Sequence, residues 1–66
     1  MIIISINGAD HNVEEQPLSR ILTELNYLQK WSAVEVNGEI LQRDELEQRV
    51  AKLKDAIEVI TPVGGG

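Results

Sequence analysis

The chain opens on a run of β-branched residues, Ile2-Ile3-Ile4 and Ile6. Ile2, Ile4 and Ile6 recur at period two, the spacing that places side chains on one face of a strand. Asn7-Gly8 follows directly. That dipeptide is the strongest short-range hairpin signal, because a type I′ turn requires positive φ at both central residues. A returning strand over His11 to Val13 is therefore expected. The pattern then changes to a helical one. Leu18, Ile21, Leu22, Leu25 and Leu28 form one apolar stripe, with Ser19, Arg20, Thr23 and Glu24 filling the opposite face. Pro17 suits the first helical position, and Glu14 and Glu15 complement the positive end of the helix dipole. The spacing predicts one amphipathic helix of about three turns.

Strand character resumes at Ala33, Val34 and Val36. A second Asn-Gly turn stands at Asn37-Gly38, and Ile40-Leu41 follow it. Asp44 to Val50 reads as a short helix with Leu46 and Val50 turned inward. Ile57, Val59 and Thr61 alternate with Glu58 and Ile60 in a last strand that Pro62 ends. Val63 and Gly64-Gly65-Gly66 complete the sequence. The order is hairpin, helix, strand pair, short helix, strand. One main helix cannot cover both faces of a sheet. The expected class is thus α+β: a β-grasp, ubiquitin-like mixed sheet of four to five strands wrapped around one main helix plus a short helix. Its strongly apolar first and last strands should lie side by side at the centre. Residues 1–63 are expected to be the domain, and 64–66 a flexible glycine tail.

Composition narrows the range of functions. A chain of 66 residues makes one domain and buries only about 60% of its unfolded surface, so it needs a dense core. Ile, Leu and Val supply 21 of the 66 residues, enough for one. There is no cysteine, which removes disulfides, thiolate metal sites and a cysteine nucleophile. The net charge of −5 argues against nucleic acid and against an anionic membrane surface. A basic groove on a protein partner is its natural complement, although such a charge also simply aids solubility. No apolar stretch approaches a membrane span and no signal-like segment leads the chain, so a cytoplasmic protein is expected.

Candidate chemistry is sparse. His11 is a lone histidine in the first hairpin and reads as a solvated strand residue, since a metal site needs several ligands at once. Asp44, Glu45 and Glu47 read as a solvated helix face rather than as paired carboxylates for acid–base work. Tyr27 and Trp31 read as cover for one end of the sheet. No catalytic residue and no metal site is expected. The glycine tail is different. A frayed terminus would look the same, yet glycines also let a chain thread a narrow channel in a partner, because they carry no side chain to clash. Ordering three of them costs about 3–6 kcal/mol, which contacts elsewhere on the domain must offset. A flexible arm on a compact handle suits a carrier.

The opening Ile-Ile-x-Ile-Asn-Gly run, the central Val34-Glu35-Val36-Asn37-Gly38-Glu39-Ile40-Leu41-Gln42-Arg43 segment and the closing Ile57 to Gly66 segment together resemble the ThiS family of sulfur carriers in bacterial thiamine biosynthesis. The resemblance covers nearly the whole chain. It implies that the Gly66 carboxylate is adenylated with ATP by an E1-like adenylating enzyme of the ThiF type and converted to a thiocarboxylate. The sulfur is then given to a thiazole synthase of the ThiG type. ATP would be used by the partner, and no cofactor would be bound here. Gly64 and Gly65 would thread the partner's active site, with Ile60, Val63 and Arg43 as partner-binding residues; Ile60 reads equally as a core residue and Arg43 equally as a structural one. The free protein is expected to be a monomer. Other ubiquitin-like roles stay open on the residues alone: a thiocarboxylate carrier for molybdopterin or another sulfur metabolite, a modifier of lysines, or a plain binding module. The sequence also departs from the family. Members often carry Asp-Gly-Asp before the last strand, whereas Leu53-Lys54-Asp55-Ala56 stands here, so that either a lysine takes the turn-glycine position or the turn is shorter. Gln42 and Pro62 stand where proline and alanine are frequent.

Overall fold

The computed structural model describes residues 1–61. Five strands run in the order β1 (Ile2–Ile6), β2 (Ala9–Val13), β3 (Ala33–Val36), β4 (Glu39–Leu41) and β5 (Ala56–Ile60), with helices α1 (Leu18–Glu24) and α2 (Arg43–Gln48) between them. They form one mixed sheet in the spatial order β2-β1-β5-β3-β4. The pairs β1–β2, β3–β4 and β3–β5 are antiparallel, and β1–β5 is parallel. The first and last strands are neighbours, as their apolar character requires, and the architecture is a β-grasp.

Both Asn-Gly dipeptides form the expected turns. Asn7 and Gly8 have φ of 52° and 84°, and Asn37 and Gly38 have 52° and 86°. Positive φ at both central residues matches the right-handed twist of the flanking strands, so each hairpin closes in two residues.

The core lies between the sheet and the helices. Ile4 and Ile6 of β1, Val34 and Val36 of β3, and Ile57 and Val59 of β5 face Leu18, Ile21 and Leu22 of α1 and Leu46 of α2. Residues at odd steps along the same strands face outward, because successive side chains alternate across a sheet. No buried side-chain nitrogen or oxygen among the described residues lacks a hydrogen-bond partner.

Four local expectations are corrected. The main helix has two turns, not three. Asn26 adopts a left-handed conformation, with φ of 63°. The Tyr27 N–H then reaches back to the Leu22 carbonyl at 2.8 Å, and the Asn26 N–H to the Thr23 carbonyl at 3.1 Å. This is a Schellman closure with asparagine at the usual glycine position. It leaves Leu25 40% exposed and brings Leu28 to the core through the loop instead of the helix. Pro17 is the residue before the first helical one, and no acidic side chain lies in the first turn of α1. Val50 is not turned inward. It forms a β-bridge with Pro17, while Ala51, fully buried, takes the core position. Finally, β2 begins at Ala9 rather than His11, since the two-residue turn pairs Ala9 directly with Ile6.

In the segment before β5, Lys54 has φ of 69°, the left-handed conformation that a turn glycine adopts without strain. A side chain there costs about 1–2 kcal/mol, whereas glycine adds unfolded-state entropy of about 0.4–1 kcal/mol. Lys54→Gly is therefore expected to stabilise the protein by about 0.5–1 kcal/mol, read as a higher midpoint in urea with an unchanged slope.

Candidate functional site

The candidate site is the base of the glycine tail, where β5 leads in sequence toward residues 62–66. β5 is tied at both ends by the two turn asparagines. At its start, the Asn37 N–H donates to the Ala56 carbonyl at 2.8 Å, and Asn37 Oδ1 accepts from the Ala56 N–H at 2.9 Å. Toward its end, the Asn7 N–H donates to the Ile57 carbonyl at 2.8 Å, and Asn7 Oδ1 accepts from the Val59 N–H at 2.7 Å. Each asparagine thus does two jobs. Its backbone makes the hairpin, and its side chain supplies a rung that the neighbouring strand is too short to provide. The strand that carries the tail is held along its length.

A buried carboxylate locks the start of β5. Asp55 is 4% exposed. Its oxygens accept from Asn37 Nδ2 at 3.0 Å, from the Lys52 N–H at 2.8 Å and from the Arg49 guanidinium at 3.1 Å. Burial alone would raise its pKa. The hydrogen bonds from Lys52, Asn37 and Arg49, with the charge of Arg49, outweigh that and hold it below the ordinary value of 3.8. This knot joins the β3–β4 turn, the segment after α2 and the start of β5. The sequence reading named Asp55 only as part of a turn segment and gave Arg49 no role. The available signal was an aspartate placed immediately before an apolar strand.

Ile60 lies outside the core. It is 55% exposed, on the sheet face opposite the helices, and pairs with Ala33 at the start of β3. Trp31, two residues before Ala33, is 77% exposed. The expectation that both aromatics cover the sheet is corrected. Tyr27 packs against the core, whereas the Trp31 ring is open to solvent with the Lys30 ammonium 5.5 Å from its centroid. Arg43 is the first residue of α2, and its guanidinium donates to the carbonyl of Gln29. That same carbonyl accepts from the N–H groups of Trp31 and Ser32, both at 3.1 Å. Arg43 therefore reaches the Ile60 region only by way of the loop that carries Trp31. Val63, Gly64, Gly65 and Gly66 lie outside the described residues, as does the expected 63/64 boundary.

The remaining polar candidates have local roles. His11 is half-buried rather than solvated: its Nε2 lies 3.2 Å from the Tyr27 hydroxyl, and the two rings meet edge-on with centroids 5.7 Å apart. Glu45 closes a capping box by accepting from the Gln42 N–H at 2.7 Å, and Asp44 accepts from the Glu45 N–H at 3.0 Å. Among the described residues, no cluster of three or more histidine, aspartate or glutamate side chains could hold a metal ion. No helix there is long and apolar enough to cross a membrane.

A β-grasp body whose last strand is clamped at both ends and continues into three glycines defines the class of small ubiquitin-like proteins. The model of the ThiS family matches residues 3–66. The chain belongs to the ThiS family. It is similar to the crystal structure of the thiamine biosynthesis protein ThiS from Geobacter metallireducens, with a TM-score of 0.80 and 30% identity over 98% of this chain and 100% of that one. The solution structure of a thiamine biosynthesis protein from the same organism gives a TM-score of 0.76 and 30% identity over 98% and 88% of the two chains. No curated protein matches.

Proposed function

We propose that this protein is a cytoplasmic sulfur carrier for thiamine biosynthesis, a co-substrate of other enzymes rather than a catalyst. The observation that carries this reading is the extent of the family match, which runs from the first strand through the last glycine, Gly66. The similar structures, both of thiamine biosynthesis proteins, favour thiamine over other sulfur metabolites.

The chemistry follows from what a carboxylate needs in order to take sulfur. The Gly66 carboxylate is a poor electrophile until an oxygen attacks the α-phosphate of ATP, releasing pyrophosphate and forming an acyl-adenylate. An E1-like enzyme of the ThiF type would supply the ATP site. A sulfur nucleophile then displaces AMP, leaving a thiocarboxylate whose nucleophilic sulfur is passed to a thiazole synthase of the ThiG type. Gly64 and Gly65 let the arm extend into both partners, and the clamped β5 gives the arm a rigid base. No cofactor need reside on the carrier itself, and a free monomer suits alternate docking to two partners.

Intact-protein mass spectrometry tests this after incubation with ATP, the adenylating enzyme and a sulfur donor. The expected result is one oxygen-to-sulfur exchange located on Gly66, absent from a chain lacking Gly65 and Gly66. An unchanged mass, with an adenylating enzyme active on another carrier, would refute the reading.

A further inference from the structure

Asn7-Gly8 and Asn37-Gly38 bring a reactivity of their own besides forming turns. In an asparagine–glycine pair the glycine nitrogen can attack Cγ of the asparagine amide, because no side chain on the second residue hinders the approach. A C–N bond forms, the Cγ–Nδ2 bond breaks, and ammonia leaves with the proton from the glycine N–H. Water then opens the cyclic imide at either carbonyl. The product is aspartate, or an isoaspartate with an extra carbon in the main chain. Asn12 and Asn26 are followed by Val13 and Tyr27, whose side chains hinder the same attack.

Both asparagine–glycine pairs are open to this reaction. All four residues are exposed, and a Cβ on either glycine would meet nothing within 4 Å. Their local sequences are matched too, since β-branched Ile6 precedes one pair and β-branched Val36 the other. The intrinsic rates should be close, and a difference in the folded chain is tertiary in origin.

The fold holds the two side chains differently. To react, an asparagine must swing Cγ away from β5 and onto its own glycine nitrogen. Asn37 is held at both atoms: Oδ1 accepts from the Ala56 N–H at 2.9 Å, and Nδ2 donates to Asp55 Oδ1 at 3.0 Å. That second bond restrains the nitrogen that must depart. It also runs to a buried carboxylate, so breaking it leaves a charge short of a donor. Among the described residues, Asn7 is held through its oxygen alone, by the Val59 N–H at 2.7 Å. The products differ as well. At Asn37 a new carboxylate would face Asp55 where a donor had been, like charge against like. At Asn7 a carboxylate still accepts from Val59, and aspartate–glycine still suits the turn. The isoaspartate form lengthens a two-residue turn and opposes the direct pairing of Ile6 with Ala9.

We propose that Asn7 is the chain's site of spontaneous deamidation, and that Asp55 is a latch protecting Asn37 from the same reaction. Asn7 reacts after one hydrogen bond opens locally, whereas Asn37 reacts only when the knot around Asp55 comes apart. The folded chain therefore ages first at the β1–β2 turn, which loosens the tie near the end of β5 while its start stays locked.

Incubation of the full chain at mildly alkaline pH, followed by peptide mapping with mass spectrometry, measures amide-to-acid conversion at each site. Dividing the rate in denaturing urea by the rate in the folded chain gives a protection factor for each asparagine, free of local sequence effects. Asn37 is expected to be protected about 10-fold more than Asn7, the scale of one added hydrogen bond to a charged group. Asp55→Asn keeps an acceptor in place but removes the charge. It is expected to cut the protection of Asn37 about fivefold and to leave that of Asn7 within about twofold. Equal protection of the two sites would mean that both react only through global unfolding, and would overturn the proposal. Greater protection of Asn7, or an equal loss at both sites in Asp55→Asn, would overturn it as well. No sulfur loading enters the measurement, so its outcome is independent of the carrier reading.

Discussion

Asp55→Ala is expected to lower the melting temperature by roughly 10–25 °C. The substitution strands three donors at once: Asn37 Nδ2, the Lys52 N–H and the Arg49 guanidinium. Leaving partners of a largely buried ion pair unsatisfied costs about 2–4 kcal/mol, and each kcal/mol shifts the midpoint of a domain this size by about 4–8 °C. Against a total stability of about 3–10 kcal/mol for 66 residues, that is a large share. The effect should depend on pH with a definite sign. A carboxylate whose pKa is lowered in the folded state contributes stability that is fully present above its unfolded value of 3.8. That contribution is lost as pH falls through the lower folded value. The gap in melting temperature between wild type and Asp55→Asn should therefore be constant from pH 5 to 7 and narrow below about pH 4. Thermal scans by circular dichroism across that range check it. A gap that widens in acid would contradict the assignment of Asp55 as an ionised hub.

Gly65→Val is the functional counterpart, expected to slow sulfur loading by about 100-fold or more with no change in melting temperature. On the carrier reading proposed above, a β-branched side chain would obstruct a partner channel shaped for bare backbone, and displacement of a reacting carboxyl by about 1 Å can cost about 10²-fold. The core should be indifferent, since its members all lie between Ile4 and Val59. Single-turnover loading read by mass spectrometry, beside a thermal scan of the same sample, distinguishes a blocked arm from a damaged body. Comparable loading of Gly65→Val and wild type would mean that the penultimate glycine is not threaded.

The two variants lie on either side of one strand in sequence, Asp55 immediately before β5 and Gly65 five residues beyond Ile60. Asp55 fixes where β5 starts, and Asn7 ties it near its end. Between them the strand gives the segment that follows it a defined origin. An arm attached to a fraying strand would add the cost of ordering that strand at each encounter.

Much of this was legible in the sequence because it is local. Period-two and helical apolar spacings named the strands and both helices. The Asn-Gly dipeptides set both hairpins, since positive φ at two successive residues is a property of those residues alone. The central place of the first and last strands followed from their being apolar, and the glycine tail with the central Val-Asn-Gly-Glu segment pointed to the ThiS family.

What the tertiary structure decided is everything that depends on residues far apart in the chain. Asn7 and Asn37 read as turn residues, yet their side chains also complete the ladder of β5, which lies about 50 and 20 residues further on. Asp55 becomes a buried hub only because Arg49, Lys52 and Asn37 converge on it. The helix stripe predicted a third turn, but Asn26 could close the helix early because Leu28 reaches the core from the loop. Glu35 and Glu58 became a repelling pair only when the register of β3 against β5 set them opposite each other. Local chemistry determines which conformations each segment prefers; which side chains meet across the sheet is fixed by register, which exists only once the strands have assembled.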